Sequence, residues 1–375
     1  MRILVLNAGS SSLKASVIDA PGRTVSATEM DWGADASRTT DRESGLRRAL
    51  GALEAGGAPL DSISAVGHRV VHGGPRFTQP AVIDDAVLRG IADVSELAPL
   101  HNDVALETIT VARRALPDVA HVACFDTAFH ATLPPDGYRY PLPERWFTDW
   151  GVRRFGFHGL SVAWSLRRAA ELLGRAPEEL GLIVAHLGSG CSVTAVWGGR
   201  SVDTSMGMTP LEGLMMGTRA GSIDSGIPLE LLRRGRLTRD ELAAALEHES
   251  GLLGVSGVGA DFRAVTAAAD AGNERAALAV SLFVRRAAAG VGGAATSLPH
   301  LDAVVFTGGI GEHAGRARAA IVERLGPLGV PPIAPTEDGR DRVLEQAASN
   351  GIAVLRIEAR EDLVIADDVE RVLAN

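Results

Sequence analysis

Lysine is almost absent from this chain, because Lys14 is the single lysine among its 37 basic side chains and all the others are arginine. Lysine carries a compact point charge, whereas guanidinium is a broad planar fork. A cramped phosphate site distinguishes the two. Lys14 ends the run Asn7–Lys14, which holds a Gly/Ser turn between two apolar runs. It is therefore either a residue that such a site requires or a lysine left there by chance.

Several other residue types are scarce, and each scarcity excludes a class of protein. The two cysteines, Cys124 and Cys191, lie far apart without CxxC spacing, which predicts buried free thiols in a reducing compartment. Only 4% of residues are aromatic, so the core must depend on Val, Leu, Ile and Ala. The net charge of −9 argues against general binding to nucleic acid or to an anionic membrane.

Long hydrophobic runs are also missing. No segment approaches the 18 or more uninterrupted apolar residues of a membrane span. The N-terminal stretch Met-Arg-Ile-Leu-Val-Leu-Asn is too short in apolar residues for a signal peptide. We therefore expect a soluble cytoplasmic protein without a membrane partner.

The length of 375 residues favours two domains, and a repeated pattern supports them. Ile3–Asp19 reads as strand, Gly/Ser turn and strand, and Gly181–Trp197 repeats that arrangement about 180 residues later. Other strands and helices alternate along the chain, which indicates an α/β fold.

The remaining elements follow from periodicity and capping signals. Gly22–Glu43 reads as a polar connecting stretch, and the run 308–311 as a glycine-rich turn. Strands are predicted over Ser64–His72, Val119–Phe125 and 302–306. Helices are predicted over Ser44–Glu54, Val82–Leu97, His101–Leu116, from the Thr238 capping box, from the Asn273 cap to about Gly290, from about His313, and over Glu361–Leu373.

Three glycine-rich turns after strands are candidate phosphate sites: Asn7–Ser12, Gly188–Ser192 and Gly308–Gly311. Glycine lets the backbone approach a phosphate closely, and successive N–H groups form an anion-binding concavity. Neither a P-loop nor a GxGxxG dinucleotide motif after a strand is present. Any one turn alone would read as a plain hairpin, but three turns, one with the lone lysine, favour a nucleotide.

Two arginines stand among neighbours that offer no obvious carboxylate partner: Arg69 in GHRVVHGG and Arg219 in MGTRAG. A buried unpaired guanidinium is costly, so an anionic ligand is expected there. Asp126 ends a buried strand, and His158 lies in RRFGFHG, whereas a group of other histidines is expected to be structural: His68, His121 and His130. Zinc-ligand spacing and a GxSxG elbow are absent. The set that remains suits phosphoryl transfer.

Taken together, these motifs resemble those of the acetate kinase family, and the resemblance covers the chain essentially from end to end. The segments that carry the resemblance are LNAGSSSLK (6–14), GHRVVHGG (67–74), APLHN (98–102), FDTAFH (125–130), RRFGFHG (153–159), VDTSMGMTPLEGLMMGTR (202–219), GVSGVGADFR (254–263), FTGGIGE (306–312) and EDL (361–363).

The resemblance implies two similar α/β domains of the actin/hexokinase (ribonuclease H-like) type, with an active-site cleft between them. One domain would comprise residues 1–127 with about 363–375 and hold the first phosphate turn. The other would comprise residues 128–362 and hold the second phosphate turn and the adenosine-binding segment. A homodimer is also implied, with the Ala-rich helix near Ala276–Gly290 as a candidate interface.

The family's functional residues transfer to matching positions here. The resemblance implies catalytic roles for Arg69, Asp126, His158 and Arg219, and metal organisation by Asn7 and Glu361 together with Asp126. An acetate pocket would be formed by Arg69, Val71, Leu100, His101, Phe157 and Pro210. ATP or ADP would be bound by Asn7, Ser10, Ser12, Lys14, His186, Gly188, Ser189, Gly190, Asp261, Phe262, Arg263, Gly309 and Ile310.

The reaction implied is reversible transfer of the ATP γ-phosphoryl group to acetate, with Mg²⁺ or Mn²⁺, giving acetyl phosphate and ADP. A carboxylate is already ionised at neutral pH, since carboxyl groups titrate near pH 4, so no general base is required. Charge on the equatorial oxygens would be stabilised by the metal, the arginines and the histidine. We therefore expect direct in-line transfer rather than a phosphoenzyme.

Three segments depart from the family pattern. Gly188-Ser189-Gly190 replaces Gly-Asn-Gly, Leu160-Ser161-Val162 replaces Thr-Ser-His, and 221–225 reads GSIDS instead of GDIDP. Two alternatives therefore stay open: a propionate or other short-chain acyl kinase, and a nucleotide-binding regulator that has lost catalysis.

Overall fold

The computed structural model describes residues 1–9, 12–19, 22–31, 39–336 and 339–374, without the side chains of 39–41 and 99–100. The chain forms two compact units. The first comprises Met1–Ala131 and Arg360–Asn375, and the second comprises Thr132–Ala359. The predicted domains, 1–127 with about 363–375 and 128–362, divide the chain at neighbouring positions.

Strands and helices alternate in both units. The first unit begins with β1 (Arg2–Ala8), β2 (Ser12–Asp19), β3 (Arg23–Asp31), α1 (Thr39–Ala55), β4 (Ala65–Val70), β5 (Ala81–Val82), α2 (Asp85–Asp93), α3 (Pro99–Ala115) and β6 (Ala120–Phe125). The second contains α4 (Pro135–Tyr138), α5 (Glu144–Thr148), α6 (Gly159–Leu173), β7 (Gly181–Leu187), β8 (Cys191–Trp197), β9 (Arg200–Thr204), α7 (Gly226–Arg233), α8 (Arg239–His248), α9 (Gly251–Ser256), α10 (Phe262–Asp270), α11 (Glu274–Ala295), β10 (Ala303–Thr307), α12 (Gly308–His313), α13 (Gly315–Glu323), β11 (Arg342–Gln346) and β12 (Ala353–Arg356). The chain ends in the first unit with α14 (Glu361–Leu373).

The two units carry sheets of matching topology. The first sheet has the order β3-β2-β1-β4-β6-β5 and the second the order β9-β8-β7-β10-β12-β11. In each, three antiparallel strands lead into two parallel neighbours, and an antiparallel strand closes the far edge. This duplication confirms the prediction of two similar α/β domains.

Aliphatic side chains form the cores, as the scarcity of aromatics predicts. In the first unit, β1, β2, α1 and α3 enclose a cluster that includes Leu4, Leu13, Leu46 and Val111. Central strands read as continuous apolar runs because helices cover both faces of a parallel sheet. Cys124 and Cys191 are buried free thiols, as predicted.

Helix α14 approaches the first sheet closely at a single glycine. It packs on β1 and β4, and a Cβ atom at Gly67 in β4 would lie 2.4 Å from Cγ2 of Ile365 and 3.0 Å from Cγ2 of Val369. The absence of a side chain at Gly67 therefore sets how deeply α14 is seated. This position matters because α14 begins at Glu361.

Helix α11 is the longest apolar helix among the described residues, although the sequence predicts no membrane span. Its length of 22 residues and window hydropathy of 1.3 would suit a membrane span by composition alone. One side of the helix is buried in the unit, with Phe283, Ala287 and Val291 among its buried residues. It packs against β7, β8, α9, α10 and α13, which is the position of a core helix.

Three predicted element assignments were wrong. The polar stretch Gly22–Glu43 contains β3, an exposed strand whose polar residues gave no apolar signal, and the start of α1. The predicted helix Val82–Leu97 divides into β5, α2 and a short 3₁₀ turn, because Asp84 caps α2 by accepting a hydrogen bond from Val87 N at 2.7 Å.

The third correction concerns Gly308–Gly311, which is the first part of helix α12 rather than a turn. Tertiary packing overrides the low helix propensity of glycine here. Other predictions were confirmed: the Thr238 capping box, the Asn273 cap, and a final helix over Glu361–Leu373.

Candidate active site

Four predicted site residues of the first unit meet at one edge of its sheet, and we call them the Arg69 cluster: Asn7, Arg69, Asp126 and Glu361. Asn7 lies near the end of β1, Arg69 near the end of β4, and Asp126 directly after β6. These three strands are parallel neighbours, so their carboxyl ends lie at the same edge. Glu361 joins them from the first turn of α14.

Arg69 is the centre of the cluster. Its Nε donates to Asp126 Oδ1 at 3.2 Å, and its Nη2 forms a close ion pair with Asp126 Oδ2. Its Nη1 donates to Asn7 Oδ1 at 3.2 Å, while Nε lies 3.6 Å from Glu361 Oε2. The amide of Asn7 in turn donates to Glu361 Oε2 at 2.9 Å. Every member therefore fixes the orientation of another.

The expectation that Arg69 lacks a carboxylate partner was wrong. Asp126 and Glu361 both face it, and neither is close to it in sequence. Burial alone would lower the pKa of the Arg69 guanidinium, but the two carboxylates raise it above its ordinary value. Burial raises the pKa of Asp126 to about 6, since the attraction of Arg69 only partly offsets burial and the nearby charge of Glu361 adds to it.

The chemistry of this donor set fits a magnesium ion. Mg²⁺ is bound through one or two carboxylates and substrate phosphates, and it keeps several waters. Asp126 and Glu361 provide two carboxylates and Asn7 provides an amide oxygen, against the single positive charge of Arg69. No group of three or more His, Cys, Asp or Glu side chains suited to a metal occurs in the described ranges, so an all-protein metal cage is absent from them.

Lys14 lies opposite Asn7 in the β1–β2 pair, so both side chains share one face of the sheet. Its side chain is 64% exposed, and its Nζ lies 3.8 Å from Glu29 Oε1. The turn before it is closed by Gly9 N, which donates to Ser12 O at 2.8 Å. Ser10, also predicted to bind phosphate, lies outside the described residues.

The second unit contains a pair of stacked imidazoles, His158 and His186, which we call the histidine pair. Their ring centroids are 4.1 Å apart and the rings are inclined by 21°. Nδ1 of His158 lies 2.9 Å from Ser192 Oγ, and Nδ1 of His186 lies 2.8 Å from Ser161 Oγ. Both predicted histidines are therefore held by serine hydroxyls.

His158 also has an unusual backbone conformation. With φ of +60° it is the one non-glycine residue with positive φ among the residues that the structure describes. A left-handed non-glycine residue costs about 1–3 kcal/mol and persists only where its surroundings hold it. It immediately precedes α6, so its side chain is set at the N-terminus of that helix. Such strain is concentrated at functional sites.

The second glycine turn is compact and adjoins α12. Gly188 N donates to Gly190 O at 3.0 Å, which closes the turn between β7 and β8. A Cβ atom at Gly188 would lie 3.8 Å from Gly309 N. Gly308 has φ of +76°, and a Cβ there would lie 2.8 Å from Leu187 O. The two predicted phosphate segments of this unit therefore lie side by side.

Arg219 is tied to the same turn through its own segment. Gly217 N donates to Ser189 O at 3.1 Å, two residues before Arg219. The guanidinium Nη1 donates to Pro210 O at 3.3 Å. Burial lowers the pKa of Arg219, and Glu247 and Cys191 oppose that effect. The structure thus brings Arg219, Pro210 and Ser189 into one region of the second unit.

The predicted acetate-pocket residues are distributed over both units. Val71 is buried after β4, and Phe157 is buried just before His158. Asn102, the residue after His101, joins α3 to the segment after β4: its Oδ1 accepts from His72 N at 3.0 Å and its Nδ2 donates to His72 O at 2.9 Å. The side chain of Leu100 lies outside the described residues.

The predicted adenosine segment forms the start of α10. Asp261 caps this helix, because its Oδ1 accepts a hydrogen bond from Arg263 N at 2.8 Å. The Arg263 Nη2 also forms an ion pair with Asp261 Oδ2 at 3.2 Å. Phe262 is buried against Phe283, with ring centroids 4.9 Å apart. Gly309 is exposed and Ile310 half-buried.

Sequence reasoning missed three residues that hold the site together: Ser161, Ser192 and Asn102. Ser161 stands inside a departure from the family pattern, and Ser192 ends a glycine turn, so neither carried a distinct signal. Asn102 follows His101 directly and was visible only as its neighbour. The structural interpretation of His68 and His121 was sound, because His68 Nε2 and His121 Nδ1 are 2.9 Å apart in the interior.

A cavity of about 670 Å³ lies away from these residues, between α10, α11 and α13. Thr266, Val280 and Glu323 are among its lining residues, and Arg316 pairs with Asp270 at its wall. None of the predicted site residues lines it.

Comparison with known proteins gives a consistent picture. The model of the acetokinase family matches residues 22–367. The chain is 45% identical to an acetate kinase of Deinococcus deserti over 393 residues, covering 100% of this chain and 98% of the relative. It is 44% identical to a propionate kinase of Citrobacter rodentium, covering 99% and 96%. The crystal structure of Porphyromonas gingivalis acetate kinase aligns with a TM-score of 0.87 at 32% identity, covering 99% of each chain.

Proposed function

This chain belongs to the acetokinase family, and on that premise we propose that it reversibly transfers the γ-phosphoryl group of ATP to acetate, giving acetyl phosphate and ADP. The observation that carries the proposal is the Arg69 cluster. It places a buried, oriented guanidinium beside two carboxylates and an amide at the ends of three parallel strands. Phosphoryl transfer needs such positioned charge more than it needs covalent chemistry.

In the proposed reaction the substrate carboxylate attacks the γ-phosphorus directly. It is ionised at neutral pH, so Asp126 is not needed as a base. Asp126 instead holds the Arg69 fork, which binds the carboxylate and the transferring group. Arg219 neutralises charge on the same group, and His158 donates a hydrogen bond to it.

We assign Asp126, Glu361 and Asn7 as the residues that hold Mg²⁺ or Mn²⁺. The bound cation supplies neutralisation of negative charge on the phosphate oxygens. The excess of carboxylates over guanidinium in the cluster supports this assignment. Lys14, Ser10, Ser12 and the turn 188–190 are assigned to the nucleotide phosphates, and the 261–263 and 309–310 segments to adenosine.

Propionate is the second candidate acceptor, and the 44% identity to the propionate kinase of Citrobacter rodentium favours it. Val71, Leu100, Phe157 and Pro210 are proposed to bury the acyl chain. One extra methylene alters discrimination by only about 1–3 kcal/mol, so we expect propionate to be a slower substrate than acetate.

The test is a hydroxamate assay of acyl phosphate with ATP and Mg²⁺ across acetate, propionate and butyrate. The highest kcat/KM is expected for acetate. A higher value for propionate would replace acetate as the proposed acceptor. ATP binding without any acyl phosphate would support the regulator instead. Arg219→Ala should abolish most synthesis, and unchanged synthesis would contradict the assignment of Arg219.

We also propose that the enzyme acts in the cytoplasm as a homodimer. Two buried free thiols support a reducing compartment. The net charge of −9 makes nucleic acid and anionic membranes poor partners.

A further inference from the structure

Each imidazole of the histidine pair meets one buried hydroxyl at the same ring nitrogen. Ser192 Oγ lies 2.9 Å from Nδ1 of His158, and Ser161 Oγ lies 2.8 Å from Nδ1 of His186. Both serines are 0% exposed. Both histidines therefore have the same Nδ1–hydroxyl contact, although the serines come from different elements, Ser192 from β8 and Ser161 from α6.

The direction of these hydrogen bonds follows from the hydroxyl proton. A serine hydroxyl carries one proton to donate, and a buried donor left without a partner is costly. Within the described part of the chain, the imidazole is the only hydrogen-bond partner of either Oγ. Each hydroxyl therefore donates to Nδ1, which must be unprotonated to accept.

An imidazole that accepts at Nδ1 carries its proton on Nε2 and is neutral. The stacking independently disfavours a pair in which both rings are charged, because two imidazolium charges with ring centroids 4.1 Å apart would repel each other. We infer that Ser192 and Ser161 are positioning residues that fix His158 and His186 as a pair of neutral Nε2–H donors.

The Nε2 edges of both rings lie against glycine. A Cβ atom at Gly190 would be 3.4 Å from Nε2 of His158. A Cβ atom at Gly308 would be 3.1 Å from Nε2 of His186, and one at Gly188 would be 3.8 Å from it. Glycine at these three positions leaves space beside both N–H groups, in the segments predicted to bind phosphate.

The catalytic consequence rests on the proposed function. Two neutral N–H donors at a phosphate turn stabilise phosphoryl oxygens without requiring the imidazoles to take up a proton. Ser161 is kept within the departing segment Leu160–Val162, where its hydroxyl serves His186. Removing either hydroxyl frees Nδ1 to carry the proton, so that Nε2 no longer donates in part of the population.

The experiment is nitrogen NMR of the full-length protein with ¹⁵N-labelled histidine near neutral pH. Two-bond proton–nitrogen correlations distinguish Nδ1-protonated, Nε2-protonated and doubly protonated rings. His158→Asn and His186→Asn identify the two signals. The wild-type protein should show both rings as Nε2–H tautomers. Ser192→Ala should change the His158 pattern and Ser161→Ala the His186 pattern.

Ser165→Ala is the matched control, because Ser165 is a buried serine of α6 whose hydroxyl has no hydrogen-bond partner among the described residues. It should leave both patterns and the kinetics unchanged. Ser192→Ala should lower kcat roughly 10-fold, the usual scale for losing a group that orients a functional histidine, with KM changed less than about 2-fold. Ser192→Thr, which keeps a hydroxyl, should retain the His158 pattern.

An Nδ1-protonated or doubly protonated ring for either histidine in the wild-type protein would overturn the inference. So would a Ser192→Ala spectrum identical to that of the wild type. A wild-type protein that gives the expected spectra but forms no acyl phosphate would overturn the proposed function, while the tautomer assignment would stand.

Discussion

At the scale of single residues, charge balance explains the Arg69 cluster. One guanidinium faces two carboxylates, so the cluster keeps an excess of negative charge in a largely buried place. Burial raises the pKa of Asp126, the attraction of Arg69 opposes that effect in part, and the charge of Glu361 adds to it. A bound divalent cation would neutralise the excess negative charge of the cluster. The two carboxylates are therefore suited to attract a cation, while Arg69 is the group that we propose binds the anionic substrate.

Asp126→Asn keeps the shape of the side chain and removes the negative charge of its carboxylate. We expect kcat to fall by about 100-fold, the scale of losing one preorganised electrostatic group. The pKa of Asp126 is raised from 3.8 to about 6 in the folded protein, so folding favours the protonated carboxyl. The stability that it contributes is present in full below about pH 4 and is lost as the pH rises through about 6.

The wild-type melting temperature should therefore rise relative to that of Asp126→Asn as the pH is lowered from 7 to 5. Thermal unfolding of both proteins over this range provides the measurement. A difference in melting temperature that does not change with pH would contradict the raised pKa.

Lys14→Arg tests the lone lysine. Lys14 is exposed beside Asn7, so the substitution should leave the melting temperature unchanged. Because the wider guanidinium fork does not fit where a compact ammonium does, KM for ATP should rise several-fold. Glu29→Gln, which removes the ion-pair partner of Lys14, is the control and should have nearly wild-type kinetics. Wild-type ATP kinetics in Lys14→Arg would make the single lysine a coincidence.

At the scale of elements, sequence patterns identified buried strands and well-capped helices better than exposed ones. The Thr238 and Asn273 caps worked because their signals are local. The edge strand β3 was not predicted, because its RTVSATEMD sequence has little apolar content. Helix α12 was not predicted, because its glycines are typical of a turn. Packing against its neighbours in the fold makes this segment helical.

Gly67→Ala tests how α14 is seated. The added Cβ would overlap Ile365 and Val369, so we expect a loss of about 1–3 kcal/mol from overpacking. Displacement of α14 would also move Glu361, and activity should fall together with stability. Chemical unfolding and acyl phosphate synthesis measure the two effects.

Gly51→Ala is the control for that substitution. Gly51 lies within α1, and a Cβ there would meet nothing within 4 Å. It should raise stability by about 0.5–1 kcal/mol and leave activity unchanged. Equal stability of Gly67→Ala and wild type would show that α14 is not held as closely as described.

At the scale of the whole molecule, the duplicated sheets explain which parts of the site could be predicted. The repeated strand-turn-strand pattern identified both turns that we propose bind phosphate, because each turn is local in sequence. The partners of Arg69 could not be found in this way. Glu361 reaches the cluster only when the last helix returns to the first unit, and Ser192 meets His158 only through folding.

The proposed homodimer makes a prediction at the same scale. Light scattering at micromolar concentration should give twice the chain mass of 39.1 kDa. A mass equal to one chain would contradict the dimer without affecting the proposed reaction.

Arg69→Lys tests whether the Arg69 cluster carries the proposed reaction, through the initial rate of acetyl phosphate formation from ATP and acetate by the wild-type protein and by this variant. Lysine keeps the positive charge but cannot hold Asp126 and Asn7 through a planar fork. We expect rapid, Mg²⁺-dependent formation by the wild type and a rate at least about 100-fold lower for the variant. No acetyl phosphate from the wild type, or equal rates for the two proteins, would contradict this expectation.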